Sequence, residues 1–144
     1  MNRNDGKTAE AAVQKCLVWL ETKYPCTFNR LYDSRSARNL IPPNPADFIV
    51  GFDGKFYLLE VKSSIKFDTL KRAGVNGTFS ANQLLSCRLW TRAGLNYIAV
   101  FYGAKKQFEI HYLHTLIEDP KLEPVYRGAS IEDGLLTLFL GGSK

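Results

Sequence analysis

The side chains of this sequence best suited to chemistry are two carboxylates and an ammonium, those of Asp47, Glu60 and Lys62. Carboxylate oxygens are the protein ligands that Mg²⁺ prefers, usually one or two of them with waters and phosphate oxygens. A bound divalent ion polarises a phosphoryl oxygen and lowers the pKa of water. The ammonium orients the attacking water and stabilises charge on the phosphate or, if burial lowers its pKa, helps to take the proton. These residue types together suit hydrolysis of a phosphodiester bond.

A β-hairpin is predicted to position these groups. The pair Asp53-Gly54 separates two β-rich runs, residues 48–52 and 55–61. Asp-Gly is favoured in such turns because both turn positions need positive φ. With a two-residue turn, or a four-residue loop in the same register, Asp47 faces Glu60 with Cβ atoms about 5 Å apart. A three-residue loop with a bulge would shift the pairing by one residue.

Lys62 lies two residues after Glu60 and therefore points to the same face of the strand. Directly opposed carboxylates repel one another, and a divalent cation offsets that repulsion. The alternative is a salt bridge between Lys62 and either carboxylate on a solvated sheet surface. Leu58 shares the Glu60 face, whereas Leu59 and Val61 line the other. Both faces of the strand are therefore expected to be covered, and a buried charged cluster favours the catalytic interpretation.

Helices and further strands are predicted around this hairpin. Apolar residues at helical spacing predict a helix over residues 7–24. An S-x-x-Q capping box and a following glycine predict a second helix over residues 80–93. Strands are predicted over residues 27–33, 95–102, 107–113 and 134–140, with loops over residues 34–45 and 63–79. This order predicts an α/β fold, a mixed central sheet flanked by helices, in one domain spanning residues 1–144.

Composition favours a nucleic-acid partner and disfavours a membrane protein. The net charge is +5 and the pI about 9.2, as a phosphate-binding surface requires. No apolar run is long enough to cross a bilayer, and the polar N-terminus predicts no signal peptide, so we expect a soluble intracellular protein. Cys16, Cys26 and Cys87 match no zinc pattern, and His111 and His114 are expected to be structural or surface residues.

The motif Pro45-Ala46-Asp47 followed by Glu60-Val61-Lys62 resembles the signature of the PD-(D/E)xK nuclease superfamily. Its position on a predicted hairpin, between two helices, extends the resemblance over residues 7–102. The resemblance implies a restriction-endonuclease-like core and a Mg²⁺-dependent deoxyribonuclease in which Mn²⁺ substitutes. It also implies that Asp47 and Glu60 bind the metal and that Lys62 serves the attacking water.

The resemblance implies two further site residues. Many members complete the metal site with a glutamate of the first helix, which here is Glu10 at the edge of the apolar stripe. Alternatively, Glu10 is a solvated first-turn residue that interacts favourably with the helix dipole. A polar residue of the second helix often faces the site, which gives Gln83, although the capping box with Ser80 also explains Gln83.

Within the superfamily the chain looks similar to small Holliday junction resolvases of the RecU and archaeal Hjc kind, including phage versions. The stretch Asp33-Ser34-Arg35-Ser36-Ala37 carries that similarity. It implies a homodimer that cleaves four-way DNA junctions in recombination and repair and leaves 5′-phosphate and 3′-hydroxyl ends. It also implies the cytoplasm of a bacterial, archaeal or phage-infected cell.

Loops beside the acidic strands are expected to contact DNA, because binding residues concentrate on loops next to a rigid site. The candidates are Arg35, Ser36, Arg38, Lys66, Lys71 and Arg72. For any one charged residue, ordinary surface charge is the alternative. At the level of function, the alternatives are a repair exonuclease or other nuclease of this fold, a non-catalytic DNA-binding module, and a protein-interaction scaffold.

Overall fold

The computed structural model describes residues 3–31, 45–64 and 79–141, and these ranges form a six-stranded mixed sheet flanked by four α-helices. The helices are α1 (Arg3–Lys23), α2 (Ala81–Arg92), α3 (Leu113–Glu118) and α4 (Ile131–Gly141). The strands are β1 (Cys26–Arg30), β2 (Phe48–Phe52), β3 (Lys55–Ser64), β4 (Asn96–Gly103), β5 (Phe108–Tyr112) and β6 (Tyr126–Gly128). Strands are ordered by number and are antiparallel except for the parallel pair β3–β4. The predicted α/β fold is confirmed.

The hairpin of β2 and β3 has the predicted two-residue turn. Asp53 and Gly54 adopt φ of 48° and 85°, which is the positive φ that such a turn needs. Phe52 pairs with Lys55, and the same register continues to Phe48 opposite Leu59. The turn therefore sets which face of the sheet each β3 side chain points to, and Glu60 points to the face opposite Leu59 and Val61.

Helices cover both faces of the sheet. Helices α1 and α4 pack on the face that presents Leu59 and Val61 of β3. Helices α2 and α3 pack on the other face, beside Leu58 and Tyr97. Because side chains alternate along a strand, Glu60 and Lys62 lie on the same face as Leu58. The face of α2 and α3 is therefore the face of the charged residues.

Helix α2 has the predicted signals at both ends. Ser80 is the N-cap residue and forms a reciprocal capping box with Gln83. At the C-terminal end, Gly94 has φ of 103° and donates to the carbonyl of Thr91 at 3.1 Å. Leu95 donates to the carbonyl of Trp90 at 3.0 Å, which completes a Schellman motif. These local hydrogen bonds fix where the helix starts and stops.

The strand predicted over residues 134–140 is wrong, because this segment lies in α4. A short apolar run does not distinguish a strand from a buried helix. Leu135, Leu138 and Phe139 are buried at helical spacing against the sheet. The N-terminal signal is Ser130, whose hydroxyl accepts from the amide of Asp133 at 3.1 Å. Helix α3 and strand β6 were not predicted either.

Other boundaries differ modestly. Strand β1 ends at Arg30 rather than at residue 33, and β3 continues through Ser64, into the predicted loop of residues 63–79. The predicted loop of residues 34–45 lies almost wholly outside the described residues, as does most of the other. No helix within the described ranges is long and apolar enough to span a membrane.

Candidate active site

Asp47 is held against β3 at the end of the sheet opposite the Asp53-Gly54 turn. Its amide donates to the carbonyl of Leu59 at 3.0 Å, and its carbonyl accepts from the amide of Leu31 at 2.8 Å. Its Oδ2 accepts from the amide of Val61 at 2.8 Å. The backbone on both sides therefore fixes the Asp47 carboxylate next to the Glu60–Val61 peptide.

Glu60 and Asp47 are two partly desolvated carboxylates that interact electrostatically. The Glu60 residue is only 6% exposed. Burial and the charge of Asp47 raise the pKa of Glu60 to about 8, against the opposing charge of Lys62. Burial also raises the pKa of Asp47, although the Val61 hydrogen bond acts in the opposite direction. The ionised pair is therefore unfavourable by itself and would be stabilised by a cation.

Lys62 contributes a loosely paired ammonium to the same cluster. Its Nζ lies 3.9 Å from Glu60 Oε1, which is the outer limit of an ion pair. The same Nζ lies 5.4 Å from the ring centroid of Phe79, within cation–π range. Its side chain keeps 23% of its surface exposed, so the ammonium is accessible from solvent. The salt bridge to Glu60 that the alternative interpretation proposed is present, but its length leaves the ammonium able to interact with a ligand.

The Gln83 side chain both caps helix α2 and contacts Glu60. Its Oε1 accepts from the Ser80 amide at 2.9 Å, which is the capping-box contact. Its Nε2 donates to Glu60 Oε1 at 2.8 Å. The cap therefore orients the side-chain amide so that its NH₂ group faces the carboxylate. In this way helix α2 is joined to the acidic cluster through one residue.

Glu10 approaches the cluster from α1 and is bound by Arg30. Its Oε2 lies 2.5 Å from an Arg30 guanidinium nitrogen, and Arg30 also donates to Gln14 at 3.0 Å. The charge of Glu10 raises the pKa of both Asp47 and Glu60, which places its carboxylate near them. The ion pair with Arg30 holds Glu10 of α1 against strand β1. Arg30, whose charge lowers the pKa of Asp47, had no signal in the sequence.

Tyr97 supports the segment that carries Asp47. It is fully buried on β4 beneath the cluster, and its hydroxyl donates to the carbonyl of Pro45. Burial and the nearby charge of Glu60 raise the pKa of Tyr97. No local pattern in the sequence selects this tyrosine, because the contact joins residues distant in the chain. It links the Pro-x-Asp motif to the centre of the sheet.

The remaining residues that the sequence analysis considered are loop residues, histidines and cysteines. Arg35, Ser36, Arg38, Lys66, Lys71 and Arg72 are outside the described residues. His111 is buried, and its Nε2 lies 2.8 Å from Glu109, which also accepts from Arg127 at 3.0 Å. His111 is therefore a structural residue, which is one of the two roles expected for it from the sequence. Cys16, Cys26 and Cys87 are free thiols.

Carboxylate donors for a metal are present, although not as a closed cluster. Among the described residues, no three His, Cys, Asp or Glu side chains converge closely enough to enclose an ion. Mg²⁺ usually takes one or two carboxylates and fills its remaining positions with waters and phosphate oxygens. The hard oxygen donors of Asp47 and Glu60, with their mutual repulsion, fit that requirement.

Comparison with known proteins supports the fold. No protein-family model and no curated protein sequence matches the chain. Among solved structures, it is similar to the 1.6 Å structure of Archaeoglobus fulgidus Hjc, a Holliday junction resolvase from an archaeal hyperthermophile. The TM-score is 0.50 and the identity 15%, over 88% of this chain and 98% of that one. The chain therefore has an α/β fold of the kind found in this resolvase.

Proposed function

We propose that this protein is a metal-dependent deoxyribonuclease of the PD-(D/E)xK superfamily that hydrolyses DNA phosphodiester bonds. The observation that carries the proposal is the meeting of two desolvated, mutually repelling carboxylates with an ammonium at one end of the sheet. Burial and the charge of Asp47 raise the pKa of Glu60 to about 8. Without a bound cation, the ionised form of Glu60 is therefore unfavourable. Strongly perturbed pKa values are typical of functional sites.

Mg²⁺, with Mn²⁺ as a substitute, is the proposed cofactor. Asp47 and Glu60 would hold the ion, and Glu10 would assist from α1. The bound ion would supply Lewis acidity toward the phosphoryl oxygen and lower the pKa of the attacking water. A third carboxylate, that of Glu10, would strengthen divalent binding, since its charge already raises the pKa of the other two.

The protein's own groups orient the reactants. The Lys62 ammonium lies 3.9 Å from Glu60 and 5.4 Å from the Phe79 ring centroid, and it would bind the attacking water and a phosphate oxygen. Gln83 donates to Glu60 through its side-chain amide and would orient that carboxylate. Tyr97 and the Val61 amide hold Asp47 and the segment before it. Positioning of this kind reduces the entropy that must be lost on reaching the transition state.

The proposed reaction is a displacement at phosphorus by water. The water oxygen forms a bond to phosphorus, and the bond from phosphorus to the 3′ oxygen breaks. One water proton leaves to solvent or to a site base, and the departing 3′ oxygen gains a proton. The products are a 5′-phosphate and a 3′-hydroxyl end.

The proposed substrate is branched DNA, by analogy with the resolvase whose fold this chain resembles. Symmetrical cleavage of a four-way junction needs two sites, so a homodimer is part of the proposal, and two-fold dimers are the commonest assemblies. The net charge of +5 is consistent with a polyanionic partner. Recombination or repair in the cytoplasm would be the cellular setting.

The test is cleavage of a labelled four-way junction beside linear duplex and single strand, with Mg²⁺ or EDTA. Lys62→Ala and Asp47→Asn serve as active-site variants, and Lys121→Ala, at an exposed loop position, serves as the matched control. Paired nicks on the junction alone, absent in EDTA and in both active-site variants, are expected. Cleavage of all substrates would keep the nuclease and remove junction selectivity. DNA binding without any cleavage would contradict the enzyme and favour a binding module.

A further inference from the structure

Two lysines in the turn between β4 and β5 lie at the same end of the sheet as the candidate active site. Strands β3 and β4 run parallel and Lys62 pairs with Phe101, so the turn Ala104–Lys106 follows just beyond Lys62 on the neighbouring strand. With strands about 4.8 Å apart and about 3.3 Å per residue, the four residues from Phe101 to Lys105 put the backbones of Lys62 and Lys105 no more than about 14 Å apart. The turn therefore borders the surface that a substrate at Lys62 would cover.

The backbone of this turn is costly for the residues that occupy it. Lys105 and Lys106 have φ of 58° and 57°, in the left-handed region that glycine, asparagine and aspartate adopt more readily. The hairpin at the opposite end of the sheet meets the same need with Asp53 and Gly54. Conformational preference therefore explains the residues of one turn and not those of the other. Two consecutive lysines at positive φ point to a use for their ammonium groups.

The surroundings of both lysines suit an anionic ligand. Both are exposed, and within the described ranges neither forms an ion pair with a carboxylate. The nearest acidic residue on β5 is Glu109, which is buried and already paired with His111 and Arg127. A DNA backbone neutralises solvated ammonium groups such as these, which have no ion-pair partner among the described residues, and it releases its condensed counterions.

We propose that the Lys105-Lys106 turn is a DNA-backbone contact that binds phosphates beside the scissile one. This inference rests on the proposed nuclease function and extends its substrate surface. The turn holds both lysines on a short, hydrogen-bonded hairpin, closed by the Gly103 amide donating to the Gln107 carbonyl at 3.0 Å. Contacts to phosphate add affinity and set the register of the DNA, and they carry no base preference.

The test measures affinity by fluorescence anisotropy of labelled junction and duplex DNA in EDTA, over a series of salt concentrations. K105Q/K106Q removes the charges. K105N/K106G also removes them and supplies residues suited to positive φ. The matched control, K23Q/K55Q, removes two charges at the Asp53-Gly54 end of the sheet.

Both turn variants are expected to bind about 10-fold or more weakly at 100 mM salt, with the slope of log affinity against log salt reduced by about 1.8. K105N/K106G is also expected to raise Tm by about 2–5 °C, because it relieves the backbone cost. The control variant should keep the wild-type affinity and slope. Stabilisation combined with weaker DNA binding is a result that a purely structural turn would not produce.

Other outcomes overturn the inference in distinguishable ways. If the wild type binds and cleaves DNA and K105Q/K106Q keeps its affinity and slope, the turn is not a contact and the nuclease proposal stands. If the control loses as much affinity as the turn variants, the effect is one of general charge and the inference fails. If the wild type neither binds nor cleaves DNA, the inference and the proposed function fail together.

Discussion

The side-chain amide of Gln83 donates to Glu60 Oε1 at 2.8 Å while its oxygen caps the Ser80 amide at 2.9 Å. One residue thus starts helix α2 and orients an acidic residue of β3. A hydrogen bond to a charged group contributes about 1.5–3 kcal/mol and favours the ionised form. Gln83 therefore donates a hydrogen bond to a carboxylate whose pKa burial raises.

Replacing Gln83 by alanine should weaken Mn²⁺ binding, because the ionised form of Glu60 loses a hydrogen bond. We expect a fall in affinity of about 10-fold, which corresponds to about 1.4 kcal/mol, measured by isothermal titration calorimetry. Ser80→Ala is the control, since it removes the capping hydroxyl and leaves the Glu60 contact. It should lower stability by about 1 kcal/mol with little change in Mn²⁺ affinity. Equal losses of metal affinity in both variants would contradict a direct role for Gln83.

Tyr97→Phe should slow DNA cleavage, because the Pro45 carbonyl then loses the hydroxyl that holds the segment before Asp47. A decrease of about 3- to 10-fold in the single-turnover rate is expected, with DNA affinity unchanged, as about 1 kcal/mol of positioning is removed. Tyr57→Phe is matched in burial on the opposite face of the sheet and should leave the rate unchanged. Identical rates for wild type and Tyr97→Phe would remove the positioning role.

Metal-free protein should lose stability as the pH rises from about 4.5 to about 8. Burial and Asp47 raise the folded-state pKa of Glu60 to about 8 from 4.5, so the folded state binds the Glu60 proton more tightly than the unfolded state. That stability is fully present below the unfolded pKa and is lost as the pH passes through the folded pKa. Each pKa unit of difference corresponds to about 1.4 kcal/mol. Urea unfolding in EDTA at a series of pH values measures the slope.

Glu60→Gln should flatten this pH dependence, and added Mg²⁺ should oppose it in the wild type. The control is Glu118→Gln, which changes an exposed carboxyl of α3 and should keep the wild-type slope. A wild-type slope that persists in Glu60→Gln would assign the effect to another group.

Glu10→Gln should lower Mn²⁺ affinity, because it removes a negative charge near Asp47 and Glu60. The protein should stay folded, because the Glu10 side chain is partly exposed. Loss of its ion pair with Arg30 should cost no more than about 1 kcal/mol, the usual upper value for exposed pairs. Glu21→Gln, exposed on the same helix, should bind Mn²⁺ as the wild type does. Unchanged Mn²⁺ affinity in Glu10→Gln would restrict the metal site to the hairpin residues.

Gly134→Ala should destabilise the protein despite the higher helix propensity of alanine. A Cβ at this position would lie 2.8 Å from the Tyr126 ring and 2.8 Å from Ile110 Cδ1. Overpacking of this kind costs about 1–3 kcal/mol, measured by urea unfolding. Gly141→Ala in the same helix meets nothing within 4 Å and should be neutral or stabilising. A stabilised Gly134→Ala would indicate that α4 moves away from β6 at little cost.

The hairpin and its register from Phe52–Lys55 to Phe48–Leu59 could be predicted from the sequence because they depend on local chemistry. Asp53-Gly54 requires one kind of turn, and a turn of known length sets every pairing along two strands. The ends of helix α2 were predicted for a similar reason, since Ser80, Gln83 and Gly94 act within a few residues of the helix termini. In each case the relevant hydrogen bonds join neighbours in the chain.

Contacts between distant elements were decided by tertiary packing. The Arg30–Glu10, Gln83–Glu60 and Tyr97–Pro45 contacts join residues 20, 23 and 52 positions apart. Their existence depends on how helices dock on the sheet, which no local preference encodes. Helix α4 was mistaken for a strand because a short apolar run satisfies either element, and only burial against β5 and β6 selects the helix. Local rules determined the reactive hairpin, and packing decided which side chains surround it.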